Sequence, residues 1–221
     1  MLVPDFAKNK IIAVLTTKGG EGKTTLVINI ANCLALMGYR VLVVDTDPQQ
    51  SLVTWFMQGD GEPAFNVMAT VNEKEIRQLH TMRGDYDFIL VDGAATVAYT
   101  TAAAVATADL VLIPVKASPL SYAATSAVME LVKTRRKKRK LPAHFIMTMI
   151  QQRAALNDVL AASIDNSGFP RLKTSLRNRQ IFPRAMYSGR TVFDENSPAA
   201  RQAQGEIEII TKEIMEILAS E

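Results

Sequence analysis

The chain has 221 residues, 48% of them apolar, and 25 basic side chains against 22 acidic ones give a net charge of +3; such a chain buries a substantial core. No apolar run approaches the roughly 20 residues that a membrane-crossing helix needs, and the opening MLVPDFAKNK carries no apolar signal segment. The single cysteine, Cys33, excludes an internal disulfide and any multi-cysteine metal site within one chain, and points to a reducing, cytoplasmic setting. Residues 10–16, KIIAVLT, form a continuous, β-branched apolar run that predicts a buried strand. A helix follows over 23–37 and stops at Gly38. Further strands are predicted at 39–45, 65–70, 87–92, 110–115 and 144–150, with a weaker candidate at 171–176. Helical patterns occupy about 72–82, 97–107, 120–138, 154–165 and 199–219. Trp55, Met147 and Met149 are expected in the core, and His80 and His144 stand isolated from any ligand spacing. Continuous apolar strands separated by helices predict an α/β fold, a mostly parallel twisted sheet with helices on both faces. One domain over residues 1–221 is expected. In such a sheet ligands bind at the carboxyl ends of the strands, so the loops after 16, 45, 92, 115 and 150 should converge on a site.

The first of those loops reads TTKGGEGKTT, residues 16–25. It lies between a strand and a helix, the context of a phosphate-binding loop, and identifies a P-loop NTPase. The nucleotide-binding positions are Lys18, Gly19, Gly20, Glu21, Gly22, Lys23, Thr24 and Thr25. The glycines let backbone N–H groups face a phosphate, and the helix adds the positive end of its dipole. Lys23 is expected on the β- and γ-phosphates and the Thr24 hydroxyl on magnesium. Two departures from the usual loop stand out: Thr17 replaces the first glycine, and Lys18 is an additional cation. The runs VLVVDTDPQ and FILVDGA place Asp45, Asp47 and Asp92 at predicted strand ends. An acid there can hold magnesium; the alternatives are helix capping by Asp47 and a capping or salt-bridge role for Asp92.

KGGEGKTT at 18–25 matches the deviant Walker A pattern, and DTDPQ at 45–49, ILVDGA and LVLIPVKASPL fit the later elements of one family. The chain resembles the ParA-type partition ATPases over nearly its whole length, above all the short, plasmid-encoded ParF-like subgroup that lacks an N-terminal helix-turn-helix domain. With a first strand near residue 10, no room for such a domain is expected. The resemblance implies ATP and Mg2+ as ligands and an ATP-dependent homodimer. In that dimer Lys18 reaches across to the partner's phosphates, Lys23 acts in its own subunit, Asp47 positions or polarises the attacking water, and Thr24, Asp47 and Asp92 serve the magnesium shell. Slow, partner-stimulated hydrolysis is implied, since an aspartate is a weak base. The partners implied are a ParB-class adaptor, typically a ribbon-helix-helix protein, and nonspecific DNA, with a cytoplasmic, nucleoid-associated location and no membrane. By the same resemblance adenine is expected near Thr148–Met149 and 177–183.

Charge is unevenly spread. Residues 133–140, KTRRKKRK, hold seven cations, and without them the balance becomes 18 basic against 22 acidic. Arg135, Arg136, Lys137, Lys138, Arg139 and Lys140 are candidates for nonspecific contact with DNA phosphates, against the plain reading of a solvated helix end. A second basic region spans 166–193, whereas the segment from 194 onward is acidic. Its apolar positions Ile207, Ile210, Ile214, Ile217 and Leu218 have helical spacing. Membrane-surface helices are basic, so this one is expected to pack on the domain. The leading expectation is an ATPase that segregates a plasmid. The alternatives are a ParA-like ATPase that positions another cargo, such as a protein microcompartment or chemosensory cluster, a dethiobiotin-synthetase-like biosynthetic enzyme, and a membrane-site selector.

Overall fold

The six strong apolar runs become strands in the computed structural model, which describes residues 8–59, 64–96 and 99–220. They are β1 (Lys10–Val14), β2 (Val41–Asp45), β3 (Asn66–Ala69), β4 (Phe88–Asp92), β5 (Leu110–Val115) and β6 (Ala143–Met147). All pair in parallel, in the order β3-β2-β4-β1-β5-β6. The helices are α1 (Lys23–Leu36), α2 (Ser51–Gln58), α3 (Glu73–Gln78), α4 (Tyr99–Thr107), α5 (Pro119–Ala124), α6 (Ser126–Arg136), α7 (Ala155–Asp165), α8 (Ile181–Tyr187) and α9 (Pro198–Ala219).

Alternate residues of each strand face opposite sides, and both sides are dry along β1, β2, β4 and β5, which is why those strands read as apolar runs, whereas the edge strand β3 has no fully buried residue. Ile12 and Val14 of β1 pack with Leu26 and Ile30 of α1 and with Ile207 and Ile210 of α9. Ile11 and Ala13 pack with Ala103 of α4, Val128 of α6 and Leu160 of α7. Cys33 lies in the first layer, where burial raises its thiol pKa above the ordinary value.

Helix α9 packs on the domain, as its acidic character implied. Ile207, Ile210, Ile214 and Leu218 are buried. A buried aliphatic side chain contributes roughly 1.5–3 kcal/mol, against about 0.2–1 kcal/mol for an exposed ion pair, so the apolar stripe fixes this helix. Its acids then turn toward the second basic region. Glu206 pairs with Arg179 at 2.7 Å and Arg177 at 3.5 Å, and Glu213 accepts from the backbone of Lys173 and Thr174. The two charge blocks of the sequence therefore neutralise each other in part. Among the described residues no helix is long and apolar enough to cross a membrane.

Four expectations change. The helix predicted over 120–138 is two helices broken at Thr125, whose hydroxyl donates to the Tyr122 carbonyl. The weak strand at 171–176 shrinks to single bridges, Phe145 with Arg171 and Ile150 with Arg177. The strand predicted to 150 ends at Met147, and Met149 takes a left-handed φ of 52° and is 37% exposed, so it is not a core residue. Helices α2 and α8 are additions to the predicted set. The helix predicted over 97–107 is seen as α4, and residues 97 and 98 lie outside the described residues.

Candidate functional site

The parallel register sets the geometry. Val14 of β1 and Asp45 of β2 are both partners of Asp92 on β4. The phosphate loop and two carboxylates thus meet at the carboxyl end of three adjacent strands, where the strand order reverses. Close approach is possible because position 93 is glycine: a Cβ there would lie 2.5 Å from Leu15 Cδ2 and 3.1 Å from the Val14 carbonyl. Gly93 N–H donates to that carbonyl at 3.1 Å, and the Thr46 hydroxyl donates to the Asp92 carbonyl at 2.8 Å. Gly93 and Thr46 lie inside the ILVDGA and DTDPQ motifs, but sequence alone assigns neither residue a role of its own.

The loop takes its shape from Gly20 and Gly22, with φ of 73° and 81°, a region that costs a side-chain-bearing residue strain. Gly22 is also the N-cap of α1, so its backbone hands the chain directly into a helix whose first N–H groups have no internal partner. Lys23 is buried at the first helical position, and Thr24 follows with its hydroxyl donating to Asp92 Oδ2 at 2.7 Å. Asp92 is fully buried, and its Oδ1 has no hydrogen-bond partner among the described residues. Burial pushes its carboxyl up to about 7. The Thr24 hydrogen bond and the Lys23 ammonium pull it back, and Asp45 and Asp47 push it further up. An orphaned, buried carboxylate oxygen beside a threonine hydroxyl is the donor set that suits a hard divalent cation, so Thr24 and Asp92 fit magnesium.

The other two aspartates divide their tasks. Asp45 Oδ1 accepts the Asp47 N–H at 3.0 Å and its Oδ2 accepts the Leu52 N–H at 3.1 Å, so the first turn of α2 is tied down by Asp45 and not by Asp47. Burial raises the Asp45 pKa, and those backbone donors oppose it. Asp47 is half-buried, with Oδ1 accepting from Gln49 N–H at 2.9 Å and Oδ2 facing Ala95 N–H at 3.4 Å. It stands at the mouth of the site, within reach of solvent.

Lys18 does not point along the loop toward Lys23. Its ammonium donates to Ser121 Oγ at 3.0 Å and lies 3.9 Å from Glu21 Oε1. Glu21 is the surprise of the loop. Its position in the motif tolerates many residues, yet here its side chain is fully buried. It accepts from Ser121 Oγ at 2.8 Å and Lys116 N–H at 2.9 Å, while its carbonyl accepts from the Thr148 hydroxyl at 2.9 Å. Beyond Gly22 and Thr25 opens a cleft of about 470 Å³ lined by Trp55, Thr148, Met149 and Phe182, with Arg177 and Arg179 at its margin. The segments 148–149 and 177–183 therefore do lie together beside the loop.

The basic run is placed elsewhere. Helices in this fold run antiparallel to the strands, so residues 133–140, the last turn of α6 and the segment leading to β6, lie at the amino end of the sheet, away from the loop. Lys133 pairs with Glu130 at 2.7 Å, and the three arginines contact more distant parts of the fold. Arg135 donates to the Ala106 carbonyl, and Arg139 pairs with Asp109 at 2.7 Å. Arg136 donates to the Leu141 carbonyl and lies 4.6 Å from the Phe169 ring centroid. Lys137, Lys138 and Lys140 are exposed.

A family model described as the CobQ/CobB/MinD/ParA nucleotide binding domain matches residues 12–192. The chain is 32% identical over 216 residues to the maintenance of carboxysome distribution protein A of Halothiobacillus neapolitanus, covering 95% of this chain and 99% of that one. It is 24% identical over 200 residues to a ParA protein of Rhizobium radiobacter, covering 88% of each. Its fold superposes on apo McdA from Cyanothece with a TM-score of 0.75 at 15% identity, over 93% of this chain and 99% of that one.

Proposed function

Because this chain belongs to the CobQ/CobB/MinD/ParA nucleotide-binding family, we propose that it is a ParA-type ATPase that positions a protein assembly inside the cell. The catalytic half of the reading rests on the Thr24–Asp92 contact beside the phosphate loop. The cargo half rests on the end-to-end similarity to a protein named for carboxysome distribution. ATP binds with its phosphates against the N–H groups of residues 19–24 and with its base in the cleft between Trp55 and Phe182. Thr24 and Asp92 would hold Mg2+, which when bound supplies charge neutralisation at the phosphates. Lys23 stays with the phosphates throughout the reaction. Asp47, at the mouth, orients the attacking water. Lys18 is delivered to the site of a second subunit, so full charge compensation requires a dimer. ATP then acts as the switch, because it binds the paired state better than the separate one.

Plasmid partition is the second reading, supported by the motifs KGGEGKTT and DTDPQ and by similarity to a ParA protein. Both readings include a DNA-bound, ATP-loaded dimer and an adaptor that stimulates hydrolysis; in the partition reading that adaptor is of the ParB class, with a ribbon-helix-helix fold. Imaging separates them. In cells lacking this protein, clustered or unevenly inherited protein foci with normal plasmid inheritance support the first reading. Plasmid loss with normal foci selects the second. An ATPase rate indifferent both to duplex DNA and to the adaptor encoded beside it would overturn both.

For DNA, the structure narrows the test to Lys137 and Lys138, since Arg135, Arg136 and Arg139 hold the fold together. Replacing both lysines with glutamine is expected to weaken binding to nonspecific duplex and to reduce the steepness of its salt dependence by about 1 to 2 in log–log slope. Unchanged affinity and slope in a filter-binding titration would remove this surface from the interface.

A further inference from the structure

The Lys18 ammonium is held within its own chain, and what holds it is unusual. Glu21 carries a fully buried carboxylate inside the phosphate loop, and a buried carboxylate is costly unless it is paired and hydrogen-bonded. Four groups satisfy it. Ser121 Oγ and Lys116 N–H donate to its two oxygens. The ammonium groups of Lys18 and Lys116 stand at 3.9 and 4.0 Å from the same oxygen, Oε1. Both lysine side chains remain about one-third exposed, at 34% and 35%. Ser121 links the cluster, because it accepts from Lys18 and donates to Glu21.

Two cations on one carboxylate are more than neutrality needs. They also repel each other, so either one weakens the hold on the other. Lys18 is the more detachable of the two: its backbone lies in the exposed rim of the loop, next to Gly19 and Gly20. Lys116 is fixed at the end of β5, and its own N–H is bonded to the carboxylate it faces. If Lys18 left with no replacement, Glu21 would become a buried anion without a counter-ion inside a phosphate-binding loop, the worst place for one.

We propose that Glu21 and Ser121 form a latch that retains Lys18 in its own subunit, and that Lys116 is the reserve cation that stays with Glu21 when Lys18 departs. This rests on the reading that Lys18 acts on the partner's phosphates. The latch sets how much ATP-binding energy is needed to release Lys18. It is a positioning device: Glu21 acts through Lys18, not on the nucleotide. Lys116 sets the opposing bias, since it keeps the released state neutral.

The two arms predict opposite signs, which a merely structural role would not produce. Glu21→Gln keeps the shape and an acceptor for Lys116 N–H but removes the charge, and Ser121→Ala removes both the acceptor for Lys18 and one of the donors to Glu21. Each is expected to lower the ATP concentration at half-maximal dimerisation by about threefold to tenfold, read by light scattering. Lys116→Gln is expected to raise it by a similar factor. Circular dichroism melts report whether each variant folds, and Ser121→Ala, which leaves the buried carboxylate paired, is the arm that stands if Glu21→Gln does not fold. An unchanged midpoint in Ser121→Ala and Lys116→Gln, with Lys18→Ala still unable to dimerise, overturns the latch and leaves the trans role of Lys18 intact. If Lys18→Ala dimerises normally with ATP, the underlying reading fails instead.

Discussion

Lys18→Ala is expected to abolish ATP-dependent dimerisation and to lower the hydrolysis rate by about 100-fold or more while leaving a folded monomer that still binds nucleotide. A charge delivered from outside to a transferring phosphoryl group is worth far more than a surface ion pair, because the site excludes water and the charge is aimed where negative charge develops. The fold should not suffer. Without Lys18, Glu21 keeps the Ser121 and Lys116 hydrogen bonds and the Lys116 ammonium at 4.0 Å. The melting temperature should therefore stay within a few degrees of the parent. Nucleotide binding by the monomer also persists, since Lys23 and the loop backbone remain. Light scattering with and without ATP, paired with a fluorescent-nucleotide titration, checks both halves. A dimer that persists without ATP in the parent protein, or forms with ATP in the variant, would count against delivery in trans.

Asp92→Asn is expected to move stability and activity in opposite directions. Asp92 is buried with one oxygen unpartnered, and its register neighbour on β2 is a second buried acid, Asp45. Removing that charge should stabilise the nucleotide-free protein by about 1–2 kcal/mol above pH 7, seen as a rise of a few degrees in melting temperature. The sign follows from the raised pKa of about 7. In the folded parent the carboxyl holds its proton up to that pH, whereas the unfolded chain loses it near 4, so the parent loses stability as pH rises from about 4 to 7. The advantage of the amide therefore grows across that window and levels off above it. Magnesium-dependent hydrolysis should fall by about 100-fold or more, because an amide lacks the charge that holds a hard cation. A variant less stable than the parent at pH 8 would show that Asp92 is held by structural pairing and not kept strained for a ligand.

The central strands were legible because a sheet covered on both faces favours unbroken apolar, β-branched runs such as Ile11–Val14, Val41–Val44 and Leu110–Val115. The phosphate loop was legible because its glycines, lysine and threonine are adjacent in sequence. What escaped depends on residues far apart in the chain. Helix α2 has no local cap; its N-cap Gln50 sits at φ 51° and its first turn leans on Asp45 of the preceding strand. Helix α8 contains Pro183, which argues against a helix until it is seen to lie in the first turn, where a missing N–H costs nothing. The burial of Glu21 depends on Lys116 and Ser121, roughly a hundred residues downstream. The run 133–140 was legible as charge, but its use on the carbonyl of Ala106 and on Asp109 was not, because only the fold brings those groups near.

The position of β1 in the sheet also bears on how the protein is made. Its hydrogen-bonded neighbours are β4 and β5, which begin at residues 88 and 110, so β1 cannot pair until those later strands have also been made. The outer face of α1 waits longer still, for α9. Long-range parallel pairing is slow, and a waiting apolar strand is open to aggregation. The segment that will grip the nucleotide is thus translated early and shaped late. Chaperone dependence should be greatest while residues 10–36 are exposed without their partners.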